Sequence, residues 1–253
     1  MGRFADRTAV VTGGAGGIGR EVCAALAAEG ARVAVVDVDE AAVESTVGVL
    51  TGPAEGFVVD VRDPQAVAAL MQDVHEQLGG PHVLVTLAGG SLGTPRDLAE
   101  IGPADVDLVV DVNVKGTFYC CQSVVPFMVE AGGGAIVTTS SIGGRQPSPV
   151  TGVPYATSKA AVVGLTKRLA REVGGRGVRV NAVAPGLFLT GRLQQMYDAM
   201  AEAERREVLD AIPLDRFPEI REAVDPILFL ASDEASYITG VVLDVNGGRF
   251  MPL

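Results

Sequence analysis

Thr8-Ala9-Val10-Val11-Thr12-Gly13-Gly14-Ala15-Gly16-Gly17-Ile18-Gly19 decides the fold. A β-branched run, Thr8–Thr12, meets a glycine cluster, and a helical pattern over Gly19–Glu29 begins where the cluster ends. Glycines at such a junction allow a tight turn and a close approach of backbone to phosphate. The helix N-terminus beyond them offers free N–H groups and the positive end of its dipole. A glycine cluster by itself is as readily a simple turn. Here the next β-branched run, Arg32–Asp37, ends on an acid at the distance of a ribose-binding carboxylate in a dinucleotide site. Gly13, Gly17, Ile18 and Gly19 are thus candidate phosphate-cradle residues. Asp37 is either the ribose acceptor or a strand-end turn residue before Val38-Asp39. As ribose acceptor it would repel a 2′-phosphate. Gly16 puts no basic side chain before Gly17, and Arg20 is expected to point away along the helix, so NAD is expected rather than NADP.

The same alternation continues along the chain. Gly56–Val61, Val83–Leu87, Ala135–Thr139, Val178–Val183 and Val242–Val245 read as further strands, nearly continuous in apolar residues as parallel strands covered on both faces are. Helical patterns over Pro64–Leu78, Pro103–Ala131, Tyr155–Val173 and Arg221–Leu230 lie between them. The expected architecture is α/β: a single-domain Rossmann-type, doubly wound parallel sheet of about seven strands, helices on both faces, spanning residues 1–253. Leu187–Ile212 interrupts the alternation, with Leu193, Met196, Tyr197 and Met200 at helical spacing. It reads as an amphipathic helix on the body or as a helical lid over a substrate site.

Composition removes several classes of function. A formal net charge of −11 argues against a nucleic-acid or anionic-membrane surface, both of which require a basic patch. The three cysteines, Cys23, Cys120 and Cys121, form no CxxC, and His75 and His82 stand apart from them, so neither a metal site nor a disulfide framework is expected. There is no apolar signal core and no apolar run long enough to span a bilayer, and the expected location is cytoplasmic.

The spacing Thr-Gly-x-x-x-Gly-x-Gly at Thr12–Gly19 resembles that of the short-chain dehydrogenase/reductase family. Further segments carry the resemblance over nearly the whole chain: Asp60-Val61, Ala88-Gly89, Asn113 within Val112–Gly116, Ser140-Ser141, Tyr155-Ala156-Thr157-Ser158-Lys159, Asn181–Gly186 and Thr190. With four tyrosines and only three lysines in 253 residues, a chance Tyr-x-x-x-Lys is rare. The resemblance implies an NAD(H)-dependent oxidoreductase interconverting a secondary alcohol and a ketone. It implies that Asn113, Ser141, Tyr155 and Lys159 form the catalytic set. Asp60 and Val61 would meet the adenine ring, and Ala88, Gly89, Pro185, Gly186, Phe188 and Thr190 would line the rest of the cofactor site, with Tyr155 and Lys159 completing it. It also implies a homotetramer, or at least a dimer; Val162, Val163 and Leu169 on the Tyr155 helix could pack across a two-fold axis or inside the monomer.

The chemistry follows from residue types. Tyr155 and Lys159 are four apart and share one side of a helix. A free phenol titrates near 10, and a nearby ammonium is expected to favour the phenolate and suit it to proton transfer. Lys159 would also hold the nicotinamide ribose, Ser141 the substrate oxygen, and Asn113 a water relaying protons from Lys159. Three features depart from the family pattern. Thr86-Leu87 stands where Asn-Asn is usual, the Ser141–Tyr155 interval is one residue longer than is common, making Ser140 the alternative serine, and Asn246 replaces an aspartate. The substrate pocket is expected to be walled by 91–96, 143–154 and 187–212, with Arg96, Arg145 and Arg192 as anion anchors or, more simply, solvated surface charges. Two other functions compete. One is reduction of a 3-oxoacyl thioester on a carrier protein, suggested by Ile212–Phe217 but opposed by Asp37 and the acidic surface. The other is a catalytically silent NAD-binding sensor, opposed by the presence of both Tyr155 and Lys159.

Overall fold

The computed structural model describes residues 2–252 except 148, 149 and 190, with the backbone alone at 192, 193 and 196. The first turn of the chain forms as read. β1 (Thr8–Thr12) is fully buried, and α1 (Gly17–Ala28) returns the chain to β2 (Arg32–Asp37). Then follow β3 (Ala54–Val58), β4 (Val83–Thr86), β5 (Gly134–Thr139), β6 (Val178–Pro185) and β7 (Val242–Val245). All pair in parallel in the order β3-β2-β1-β4-β5-β6-β7, with β1 in register so that Val10 faces Ala34 on one side and Leu84 on the other. This is the expected doubly wound sheet.

Alternation along each strand sorts side chains into two cores. Val11, Val35, Val85 and Val137 face Leu26 of α1 and Ile227 of the helix Arg221–Ala231. Val10, Val36, Leu84 and Ile136 face Leu70 of the helix Pro64–Leu78, Val124 of the helix Thr117–Glu130 and Val173 of the helix Val153–Val173. Each fully buried aliphatic side chain of this kind contributes roughly 1.5–3 kcal/mol.

Several boundaries differ from the sequence reading. The third strand is Ala54–Val58 rather than Gly56–Val61. It is the sheet edge and half solvated, with Val58 exposed, while Val59–Val61 leave the sheet. A helix at Glu40–Val47, only two turns long and with Val43 and Val47 as its large apolar side chains, is started by Asp39, whose carboxylate accepts from the Ala42 N–H at 3.0 Å. The single helix expected over Pro103–Ala131 is three pieces: Pro103–Val110, one π-helical turn at Asp111–Gly116, and Thr117–Glu130. The helix of Tyr155 begins at Val153, with Pro154 in its first turn. Val162 is fully buried within the monomer, so it is unavailable to a subunit contact. Residues 187–212 hold two helices, Arg192–Ala199 and Glu202–Asp210, rather than one; the Tyr197 ring packs edge-on against Phe217, with centroids 4.8 Å apart.

Candidate active site

Where the C-terminal ends of β1, β2, β4, β5 and β6 meet their loops, a cavity of about 780 Å³ opens. This is the edge at which open α/β sheets bind ligands. Its floor is the glycine loop. Gly13 and Gly17 have φ of +68° and +30°, and a side chain on Gly13 would meet the Leu87-Ala88 backbone. Gly16 faces open space and caps α1 without a side-chain bond, leaving the first N–H groups of that helix to a ligand. Ile18 and Gly19 complete this wall.

Asp37 lines the cavity beside the loop. Its carboxylate accepts from the N–H groups of Ala15 (3.3 Å) and Val38 (2.8 Å), which fixes its orientation and leaves lone pairs for a diol. Arg20 turns away as expected, donating to the Ser45 carbonyl and hydroxyl at 3.4 Å. Asp60, Val61, Ala88, Gly89, Pro185, Gly186 and Phe188 line the same cavity. The Asp60 carboxylate is held by Arg62, at 2.8 and 3.0 Å from its Nε, and this bonding lowers its pKa. Leu87 brings no polar group, and the loop it begins is tied to β1 instead through the Ala88 N–H, which donates to Thr12 Oγ1 at 3.4 Å. Thr190 lies outside the described residues.

Ser141, Tyr155 and Lys159 converge on the other end of the cavity. Ser141 Oγ accepts from the Gly143 N–H at 3.1 Å and lies beside the Tyr155 ring at the same glycine, close enough to lower the phenol pKa. Ser140 instead donates to the Lys159 carbonyl at 2.8 Å. The longer interval therefore leaves Ser141, not Ser140, beside the phenol. Lys159 Nζ donates to the Thr139 carbonyl at 2.8 Å. The expected lowering of the phenol pKa depends on the Lys159 ammonium and the positive nicotinamide ring acting together. Among the chain's own groups burial raises it, with Ser141 only partly opposing, and burial lowers the Lys159 ammonium to about 8.

Asn113 is buried behind the cavity wall, and its side chain is engaged by protein groups. Its Oδ1 accepts from the Gly90 N–H at 2.9 Å, and its Nδ2 donates to the Gly90 carbonyl (3.0 Å) and to Ser158 Oγ (2.8 Å). Its carbonyl accepts from Thr117 Oγ1. Asn113 thus ties the Gly89-Gly90 loop to the helix of Tyr155. Gly89, at φ +138°, has no room for a side chain because Asn113 Oδ1 occupies the space.

Further residues take roles that the sequence did not disclose. Arg145 is no solvated surface charge: it pairs with Asp244 at 3.1 Å, with side chains only 18% and 15% exposed. Asn246 both donates, to the Phe250 carbonyl, and accepts, from the N–H groups of Gly248 and Phe250, a pattern an aspartate could not complete. Leu108 and Val112, one helical turn apart, also line the cavity, although their positions show only as an apolar pair in the sequence. A second cavity of about 640 Å³ lies between Arg96, Val150 and the segment from Ala199 to Ala211. Arg249, which no sequence pattern singles out, stands on its wall.

The sheet order, the glycine cradle and the Ser141–Tyr155–Lys159 grouping define a dinucleotide-binding oxidoreductase fold, and the chain belongs to the short-chain dehydrogenase/reductase family. The family model described as enoyl-(acyl carrier protein) reductase matches residues 13–249. Among its relatives is 3-oxoacyl-[acyl-carrier-protein] reductase FabG of Thermotoga maritima, 39% identical over 97% of this chain and 98% of that protein. Another is the NAD(+) 2-dehydro-3-deoxy-L-rhamnonate dehydrogenase of Sphingomonas sp., 37% identical over 98% and 97%. The crystal structure of 3-oxoacyl-[acyl-carrier protein] reductase from Brucella melitensis superposes with a TM-score of 0.89 at 35% identity, covering 99% of this chain and 93% of that one. Among the described residues no helix is long and apolar enough to cross a membrane.

Proposed function

We propose that this protein is an NAD(H)-dependent oxidoreductase interconverting a secondary alcohol and a ketone, within one catalytic domain over residues 1–253 and under a lid formed by 187–212. The observation that carries the reading is the opening of Ser141, Tyr155 and Lys159 into the same cavity as the glycine loop and Asp37. The cradle suits a dinucleotide, because the α1 N-terminus is uncapped and Gly16 faces open space. Asp37, fixed by two backbone N–H groups, supports NAD over NADP. The bound nicotinamide would accept or supply the hydride.

The chain's own residues handle the proton. Ser141, with its lone pair already engaged by Gly143, donates to a substrate oxygen and stabilises its developing charge. The Tyr155 phenol gives or takes the proton on that oxygen. Lys159, held at the Thr139 carbonyl, adds positive charge that favours the phenolate in the assembled site and would hold the ribose of the cofactor. Asn113 serves by fixing the Gly90 loop against the Tyr155 helix.

A second reading, reduction of a 3-oxoacyl thioester on a carrier protein, is favoured by the likeness to the Thermotoga maritima reductase and opposed by the charge of −11, which offers an acidic carrier no basic surface. An NAD-linked activity screen over secondary alcohols, hydroxyacids and 3-hydroxyacyl thioesters decides between them. A chain that binds NAD but turns over none of these would be a silent sensor. The reading includes a cytoplasmic location, with which three free, buried thiols agree, and a homotetramer or dimer, supported by the exposed Phe118 on the helix Thr117–Glu130. A 26 kDa species by sedimentation at micromolar concentration would contradict the assembly.

A further inference from the structure

Arg145 and Asp244 are 99 positions apart in sequence and form an ion pair mostly hidden from solvent. Arg145 also donates to the Val242 carbonyl at 3.3 Å and lies 5.1 Å from the centre of the Phe250 ring. Asp244 Oδ1 is buried with no hydrogen-bond partner among the described residues. Such a pair is a poor stabiliser, because desolvating both charges offsets most of their attraction and apolar side chains could fill the space at lower cost. Its placement gives it a different use.

Arg145 directly follows the short turn Ile142–Gly144, which starts at Ser141. The turn is stiff: the Gly143 N–H donates to Ser141 Oγ, the Gly144 N–H to the Ser141 carbonyl at 3.0 Å, and the Arg145 N–H to the Ile142 carbonyl at 3.0 Å. On one side Gly144 lies flush on the helix of Tyr155; a Cβ there would come within 2.6 Å of the Ala160 nitrogen. On the other side, among the described residues, the Arg145 guanidinium and the long Gln146–Arg249 contact at 3.5 Å reach the C-terminal segment. That segment is itself anchored to the cavity wall, since the Gly186 N–H donates to the Val245 carbonyl at 2.8 Å.

We infer that Arg145 and Asp244 are a positioning pair for the reaction proposed above: by tying the turn to the last strand they hold the Ser141 hydroxyl against the Tyr155 phenol. Neither touches the reacting atoms. The inference rests on the reading of Ser141 and Tyr155 as the proton-handling residues, but it is tested by the influence of Ser141 on the phenol itself.

The full-length chain is labelled with 13Cζ tyrosine, and the Tyr155 resonance is identified as the one missing from Tyr155→Phe. In Arg145→Met and in Asp244→Asn that resonance should move in the same direction as in Ser141→Ala, and Arg145→Lys should bring it back toward wild type. Turnover should fall about 10- to 100-fold, as displacements of about 1 Å cause elsewhere, with cofactor affinity unchanged. The pKa seen in kcat/KM for alcohol oxidation, which reports the site before substrate takes the Ser141 proton, should rise, because Ser141 opposes the upward shift that burial imposes on the phenol. Asp244→Asn keeps shape and volume, and stands in if Arg145→Met does not fold. A Tyr155 resonance that stays in place in either folded variant overturns the inference, including the case where only the melting temperature falls. Because the resonance requires no turnover, a wild type inactive on every alcohol would sink the proposed function and still leave this test decisive.

Discussion

Lys159 aims its ammonium at the Thr139 carbonyl, 2.8 Å away, and stands 5.8 Å from the centre of the Tyr155 ring one helical turn before it. The two groups are near enough to influence one another, yet both are buried, and burial disfavours the charged form of each. The site therefore holds a neutral phenol and a reluctant cation until other charges join them.

Tyr155→Phe removes one oxygen and keeps the ring. Folding and NAD binding should change little, while turnover should fall about 10²- to 10⁴-fold, the usual contribution of a general acid or base. Ser141→Ala should cost about 2.7–4 kcal/mol in transition-state stabilisation if it acts as one lost oxyanion donor. Steady-state kinetics with calorimetric NAD binding checks both. A Tyr155→Phe enzyme keeping more than about a tenth of its turnover would remove the phenol from its role.

Lys159 makes stability depend on pH in an unusual direction. Its folded pKa is about 8 against 10.5 for the free side chain, so from about 8 to 10.5 the unfolded chain binds more protons. Stability therefore rises with pH across that window. Below it the buried ammonium costs on the order of 3 kcal/mol. Tyr155 acts oppositely and only at higher pH: its raised pKa means that stability falls once the unfolded phenol ionises. Urea unfolding at pH 7 and pH 9.5 should show the gain in wild type and its loss in Lys159→Met. Equal slopes in the two proteins would contradict it.

Asp37 should set cofactor choice. NAD should bind roughly 100-fold more tightly than NADP, since a 2′-phosphate would face the carboxylate. Asp37→Ser should narrow that gap mainly by strengthening NADP. Equal affinities in the wild type, measured by calorimetry, would show that the carboxylate does not meet the ribose.

The lid should gate the site. Residues 187–212 hold two short helices joined at Met200-Ala201, and Tyr197 and Phe217 form their main aromatic contact with the body. Amide exchange there should be faster than in β1 and should slow when cofactor and substrate bind together. Identical exchange in the free and bound protein would deny the segment a gating role.

The glycine loop, Asp37 at the end of β2 and the Tyr155–Lys159 pair were all legible in the sequence. The reason is that each is a local pattern: a strand meeting a helix, a strand end, two positions one helical turn apart. The same locality explains the misses. The π turn at Asp111–Gly116 has an ordinary helical sequence, and the helix after Asp39 is only eight residues long, too short to display a period. Tertiary structure alone turned the Ser140 hydroxyl to the Lys159 carbonyl, engaged the Asn113 amide with Gly90 and Ser158, and hid Arg145 against Asp244. It also set burial against the ionisation of Tyr155. Those outcomes depend on which distant groups become neighbours and on how far water is excluded. A sequence states the identity and spacing of charges and hydroxyls, whereas their partners and their dielectric surroundings exist only once the chain has closed around them.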